Sequence, residues 1–121
     1  MSGLCAVTAA GLLLLAPDTG FHLAWTHSVE KIEWREDWRI DAGQLILEQA
    51  SVAGSGAGMD PSPEARREGD RWVWRPERKL ERLVLALSGY TTDWKLCSES
   101  TGCRPLRQMA SGDTITLASC D

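Results

Sequence analysis

Residues 21–40 read FHLAWTHSVEKIEWREDWRI and contain three of the six tryptophans and both histidines of the chain. Side chains alternate between the two faces of a strand. Apolar residues favour the odd positions of residues 21–29 and the even positions of residues 32–40. Two alternating runs of opposite phase predict a strand, a tight turn or bulge near residues 30 and 31, and a second strand. The aromatic and β-branched residues also suit strands, whereas helical spacing is poorly met.

Two polar residues interrupt these apolar faces, His27 in the first run and Glu36 in the second. A hairpin with its turn near residues 30 and 31 could bring them together. Because a buried carboxylate is costly unless it is paired, one interpretation is a structural His–Glu pair. The other is a ligand-binding or acid–base site, since perturbed titratable pairs gather at functional sites. Ser28 points to the face opposite His27, so these two cannot act as nucleophile and base without a break in the strand.

The length of 121 residues predicts a single domain over residues 1–121. The composition, 43% hydrophobic and 25% charged, is ordinary for a globular chain. The net charge of −4 argues against nonspecific binding of nucleic acid.

The cysteines are Cys5, Cys97, Cys103 and Cys120. No pair has C-x-x-C spacing, which argues against a zinc knuckle or a thioredoxin-type motif. Cys97 and Cys103 flank SESTG and would face each other across a hairpin with a three-residue turn, where a disulfide could form. Cys5 and Cys120 could pair if the terminal strands are neighbours. Two disulfides would imply an oxidising compartment, here the periplasm; four reduced, mostly buried thiols are the alternative.

Residues 4–16, LCAVTAAGLLLLA, admit two interpretations. They resemble the apolar region of a signal peptide, but no Lys or Arg precedes them and no convincing A-x-A cleavage site follows. The favoured interpretation is two short strands, residues 4–8 and 12–15, hinged at Ala10-Gly11. The segment is too short to span a membrane. If it forms strands and no export signal exists, the protein would be cytoplasmic.

A glycine-rich segment, GSGAGM, opens a stretch that runs to residue 70; its residues are Gly54, Ser55, Gly56, Ala57, Gly58 and Met59. It matches neither G-x-G-x-x-G nor G-x-S-x-G, and Pro61 and Pro63 rule out the helix that a dinucleotide fingerprint opens. We interpret the stretch either as a mobile loop or as a loop whose backbone N–H groups approach a ligand or partner.

About ten short strands, separated by Gly, Pro, Asp and Ser signals, account for the chain. Residues 80–87 read as one strand, and the preceding PERKLER could form one helical turn. Frequent turns and period-two alternation predict an all-β fold, a small antiparallel β-sandwich or a partly open barrel.

The run WTHSVEKIEWREDW, followed by GSGAGM, RWVWRP and LCSESTGCRPL, resembles the bacterial family called domain of unknown function 1850. His-Ser-Val, then an acidic residue and a Gly-Ala-Gly loop, is fairly specific in that order. Many members carry two acidic residues where this chain has Arg35-Glu36. The resemblance implies a small all-β domain without established activity. Similar members are often encoded beside the fused permease of TAXI-type TRAP transporters, which implies an accessory role there.

The leading hypothesis is a non-enzymatic accessory or binding domain of such a transporter, with the permease or its solute-binding protein as partner. Its recognition site would consist of His27, Ser28, Glu36 and residues 54–59. Five tryptophans would supply core, with one or two exposed as binding anchors: Trp25, Trp34, Trp38, Trp72 and Trp74. No cofactor, metal, nucleic acid or transmembrane segment is expected.

Two alternatives accompany this hypothesis. The first is a small hydrolase or other acid–base enzyme, with His27 as base and Glu36 orienting it. The second is a purely structural interaction module, which an exposed apolar patch of several hundred Å² would favour.

Overall fold

The computed structural model describes residues 3–26, 32–53, 62–87, 94–109 and 112–120. These ranges contain twelve strands and one short 3-10 turn, Leu106–Gln108. Within them, no helix has the length and apolar character needed to cross a membrane. The strands are β1 Leu4–Thr8, β2 Gly11–Ala16, β3 Gly20–Thr26, β4 Glu33–Asp41, β5 Gln44–Val52, β6 Arg66–Glu68, β7 Arg71–Trp74, β8 Arg78–Leu80, β9 Arg82–Ala86, β10 Lys95–Ser98, β11 Gly102–Pro105 and β12 Thr114–Ser119.

The strands form two antiparallel sheets. The small sheet has the order β2-β1-β12-β9, and the large sheet has the order β11-β10-β3-β4-β5-β7-β6, with β8 also paired to β5. Both sheets contribute side chains to one buried core, for example Leu4 and Leu117 from the small sheet and Leu23 and Leu45 from the large one. The predicted all-β sandwich is therefore confirmed, with twelve strands rather than about ten.

The hairpin predicted for residues 21–40 forms the centre of the large sheet. Strand β3 pairs with β4, and β4 pairs with β5. Alternation turns Phe21 and Leu23 of β3 towards the core, where both are buried. The facing residues of β4 are Trp38 opposite Phe21, Glu36 opposite Leu23 and Trp34 opposite Trp25. The period-two pattern of the sequence thus predicts both the pairing and the inward face.

The two ends of the described chain meet in the small sheet. Residues 4–16 form β1 and β2, and Cys5 of β1 lies opposite Ala118 of β12. A disulfide joins Cys5 to Cys120. A second disulfide joins Cys97 to Cys103, which face each other across the hairpin of β10 and β11. All four cysteines are therefore paired.

The structure divides residues 80–87, which the sequence predicts as one strand. Strand β8 ends at Leu80 and pairs with β5 in the large sheet, whereas β9 begins at Arg82 and pairs with β12 in the small sheet. The chain therefore changes sheet at Glu81. The apolar pattern also changes phase there, from Leu80 to the odd positions that follow. The predicted helical turn is absent: Glu77 has a φ of 52°, outside the right-handed helical region, and Arg78–Leu80 form strand β8.

Part of the stretch from residue 54 to 70 is a strand rather than a loop. Strand β6 pairs with β7 through a two-residue turn, Gly69-Asp70. Gly69 has a φ of 67°, which a tight hairpin turn of this kind requires and glycine adopts without strain. The Gly-Asp dipeptide is the signal that the sequence offers for this hairpin.

Candidate functional site

Only one residue of the predicted recognition site, Glu36, lies in the described part of the chain. His27 and Ser28 lie outside the described residues, and so do Gly54, Ser55, Gly56, Ala57, Gly58 and Met59. The contact between His27 and Glu36 therefore stays a prediction.

Two segments of the predicted recognition site begin at His27 and at Gly54. The described residues that precede them lie at the same end of the large sheet. Thr26, the last residue of β3, pairs with Glu33 of β4. On the other side of β4, the N–H of Ala53 donates to the Glu33 carbonyl at 3.0 Å. The chain positions before His27 and before Gly54 are thus separated by a single strand.

The Glu36 carboxyl lies on the inward face of β4, between two tryptophans of the same strand. Trp34 donates its indole Nε1–H to Oε2 at 3.3 Å, and Trp38 donates its own to Oε1 at 3.2 Å. Residues two positions apart on a strand share a face, so the sequence W-x-E-x-W creates this arrangement locally. The residues paired with Glu36, Leu23 and Ala50, are apolar and buried.

Burial raises the pKa of the Glu36 carboxyl above its ordinary value. The hydrogen bonds from Trp34 and Trp38, and the positive charge of Arg78, act in the opposite direction but do not outweigh burial. The low polarity around the group disfavours the charged form, as expected for a carboxyl placed among apolar side chains. The protein thus holds an oriented carboxyl that takes up a proton more readily than a surface glutamate.

This raised pKa predicts a dependence of stability on pH. The folded chain binds the Glu36 proton more tightly than the unfolded chain, so this group's contribution falls as pH rises from about 4.5, its ordinary pKa, through the raised folded value. Substitution Glu36→Gln removes that fall. We expect the free energy of unfolding of the variant, measured by urea denaturation relative to the wild type, to increase across this pH range.

The matched control for this measurement is Glu48→Gln, which removes an exposed carboxylate from the neighbouring strand β5. It controls for the loss of one negative charge. If the free energy of unfolding changes with pH in the same way for the wild type and the Glu36→Gln variant, the assignment of the raised pKa to Glu36 is contradicted.

All six tryptophans lie on or directly beside the inward face of the large sheet. Trp38 stacks on Phe21, and Trp38 and Trp94 are buried. The other four are half-buried and pack around Ile32 and Val52 as a second, smaller core; we call them the tryptophan cluster: Trp25, Trp34, Trp72 and Trp74. In this cluster Trp34 meets Trp74 edge-on, with ring centroids 5.3 Å apart. None of the six tryptophans is exposed, so the half-buried rings of the tryptophan cluster are the most accessible ones, and a role as binding anchors stays a prediction.

A cleft of about 330 Å³ opens beside the tryptophan cluster; it is lined by Ala24, Trp25, Thr26, Glu33, Lys95, Pro105 and Arg107. Trp25 belongs to both features. Lys95 and Arg107 contribute positive charge to the cleft, whereas Glu33 is paired with Arg71 at 3.0 Å. These lining residues come from β3, β4, β10, β11 and the 3-10 turn, and among them only Trp25 was singled out from the sequence.

A cluster of metal-ligating residue types lies on the outward face of the large sheet. His22 of β3 pairs with Cys97 of β10, which in turn pairs with Cys103. The His22 nitrogen and the two sulfurs lie within 4.8 Å of one another. However, the two sulfurs are bonded to each other. Thiolates, not disulfide sulfurs, are the usual cysteine ligands, so this group does not form a metal site in the oxidised protein.

Comparison with known proteins identifies one family. The family described as domain of unknown function (DUF1850) matches residues 21–106. This span contains Glu36, all six tryptophans and every residue that lines the cleft except Arg107. No curated protein and no solved structure is significantly similar to the chain.

Proposed function

The chain belongs to the DUF1850 family, whose function is unknown. We propose that it is a non-enzymatic binding domain. Its ligand is a small molecule with an anionic group and an apolar body. The cleft beside Trp25 carries this proposal. Trp25 lines it together with the cations Lys95 and Arg107, at the end of the sheet where Thr26 and Val52 lie. Binding sites commonly combine apolar walls with a few convergent polar groups.

The Glu36 carboxyl contributes to this site as an organising group. It accepts a hydrogen bond from Trp34, a member of the tryptophan cluster that meets Trp74 edge-on. A carboxyl fixed between two indole N–H donors keeps these rings in defined orientations. His27, Ser28 and residues 54–59 remain part of the proposal as groups that complete the recognition site.

The contacts of Glu36 favour binding over acid–base catalysis. Both of its oxygens accept hydrogen bonds from indole N–H groups, which are donors only and do not ionise at ordinary pH. A general base needs a reacting proton within about 3 Å, and the hydrogen bonds described for Glu36 include no hydroxyl or imidazole. The acid–base hypothesis for His27 and Glu36 therefore gains no support from the described residues.

Ligand titration followed by tryptophan fluorescence tests the binding site, since Trp25 lines the cleft. We expect a small apolar carboxylate to change the emission, and Lys95→Gln to weaken its binding by about tenfold, because a charge-assisted hydrogen bond is lost. The control is Lys79→Gln, which removes an exposed lysine from β8. Equal weakening by both variants, or no response to any carboxylate in a broad panel, would contradict the proposal.

For the biological setting, we propose an accessory role in a TAXI-type TRAP transporter. The support is the neighbourhood of similar members' genes; the partner would be the permease or its solute-binding protein. Affinity capture of the tagged chain from detergent-solubilised native membranes, with identification by mass spectrometry, tests this role. Recovery of either transporter component is expected, and its absence with well-folded bait would leave a binding domain without that partner.

A further inference from the structure

The edge strands of the two sheets differ in how they are protected. An edge strand offers unpaired backbone groups to other chains, and proteins commonly block such pairing with charged residues or proline. Four edge strands carry such residues: β6 (RRE), β8 (RKL), β9 (RLVLA) and β11 (GCRP). The fifth edge strand of the described chain, β2, reads GLLLLA and has no charge and no proline.

Strand β2 also presents a run of exposed leucines. Leu12, Leu13 and Leu14 are 53%, 49% and 47% exposed. Leu13 pairs with Ala6 of β1 and shares its face, whereas Leu12 and Leu14 pair with Val7 and Cys5 and lie on the other face. Both faces of β2 are therefore accessible at this point. Single exposed apolar residues are ordinary, but three in succession on an unpaired edge indicate an interaction surface.

The accessible part of this edge is limited to the centre of the strand. Arg104 of β11 donates a hydrogen bond to the Leu15 carbonyl at 2.5 Å, and Leu15 and Ala16 are buried. The β11 end of the large sheet thus covers the end of β2. Leucines 12 to 14 form the part that can accept another strand.

We propose that β2 pairs antiparallel with β2 of a second copy of this chain, so that two four-stranded sheets join into one eight-stranded sheet across a two-fold axis. Self-pairing suits an uncharged strand because a two-fold axis places each residue near its own copy, and no like charges meet. The same three leucines are covered on both copies. The exposed edge supplies main-chain hydrogen bonds, as in other cases of strand addition.

This interface is independent of the proposed cleft. The residues that line the cleft belong to the large sheet and to the 3-10 turn, whereas β2 belongs to the small sheet. Strand β2 also lies outside residues 21–106, the part matched by the family. The pairing is thus a property of this chain rather than an extension of the ligand-binding proposal.

Sedimentation equilibrium of the full chain over a wide concentration range tests the pairing. The wild type is expected to fit a monomer–dimer equilibrium. Because the axis passes through the middle of β2, Leu13→Lys and Leu13→Glu each place like charges together and should raise the dimer dissociation constant by about tenfold or more. An equimolar mixture of the two variants should restore dimers, since lysine then faces glutamate.

The mixing experiment distinguishes lost pairing from lost folding, because misfolded variants would not restore each other. The matched control is Val84→Lys on β9, the opposite edge of the same sheet, where Val84 is 62% exposed; it should leave dimerisation unchanged. In hydrogen exchange of the wild type, the β2 amides should gain protection as concentration rises. A monomer at all concentrations, assembly beyond dimers, no rescue on mixing, or loss of dimers in Val84→Lys would overturn the proposal.

Discussion

Replacing both Cys5 and Cys120 by alanine is expected to lower the free energy of unfolding by about 5 kcal/mol, a large part of the stability of an ordinary domain. This disulfide joins residues 115 positions apart, so it restricts almost the whole unfolded chain. In the chain-entropy description, the stabilisation increases with the length of the closed loop. Urea denaturation of the double variant, compared with the wild type under oxidising conditions, measures the effect.

The second disulfide provides the control. Cys97 and Cys103 are six positions apart, so their bond closes a short loop, and the same description gives a loss of about 2 kcal/mol for the double alanine variant. Both double variants keep an even number of cysteines, which prevents intermolecular pairing of an unmatched thiol. If the two variants lose equal stability, loop length does not determine the contribution of these bonds.

Replacing Trp38 by alanine is expected to cost about 3 to 5 kcal/mol of unfolding free energy, as for other buried aromatic residues. Trp38 is buried, stacks on Phe21 with centroids 6.3 Å apart, and donates a hydrogen bond to Glu36. The substitution leaves a cavity in the core and also leaves one carboxyl oxygen without its donor. Thermal or urea denaturation measures the loss.

A second variant, Trp38→Phe, separates these two contributions. Phenylalanine keeps much of the ring packing but lacks the indole N–H, so the Glu36 carboxylate loses one of its two donors. Since that donor favours the charged form, the pKa of Glu36 should rise further, and the cost should be greater at neutral than at acidic pH.

The control for the ring substitution is Trp94→Phe, at the other buried tryptophan. The loss of unfolding free energy caused by Trp94→Phe should be the same whether Glu36 is present or replaced. In a double-mutant cycle with Glu36→Gln, Trp38 should show coupling and Trp94 should not. Coupling of equal size for both tryptophans would contradict a specific role for the Trp38 hydrogen bond.

The sequence predicts the parts of this fold that depend on local alternation. The two phases of residues 21–40 predict the hairpin of β3 and β4, because period-two patterning sets both the strand and its inward face. Alternation also places Glu36 between Trp34 and Trp38, whereas the hairpin pattern predicts a partner across the hairpin, at His27, and that contact stays a prediction. The tryptophans that bind it are two residues away along the same strand.

The parts that depend on distant pairings could not be predicted in this way. The cleft exists because β10 pairs with β3, which brings Lys95 opposite Ala24 from more than seventy residues away. No spacing in the sequence specifies that neighbour. Likewise, residues 80–87 look like one apolar run, but the large sheet pairs β8 with β5 and the small sheet pairs β9 with β12. Tertiary pairing, rather than local propensity, divides that run at Glu81.

The position of β12 affects how the small sheet can fold while the chain is being synthesised. Strand β12 lies between β1 and β9, so among the described strands it alone links the hairpin of β1 and β2 to the remaining strand of the small sheet. During synthesis from the amino end, β12 leaves the ribosome after the other eleven strands. Until then the inward residues of β1, Leu4 and Ala6, have no strand beside them on that side. Contacts between such distant segments form slowly, so chaperones that hold an incomplete β-sandwich should recognise the first hairpin of the nascent chain.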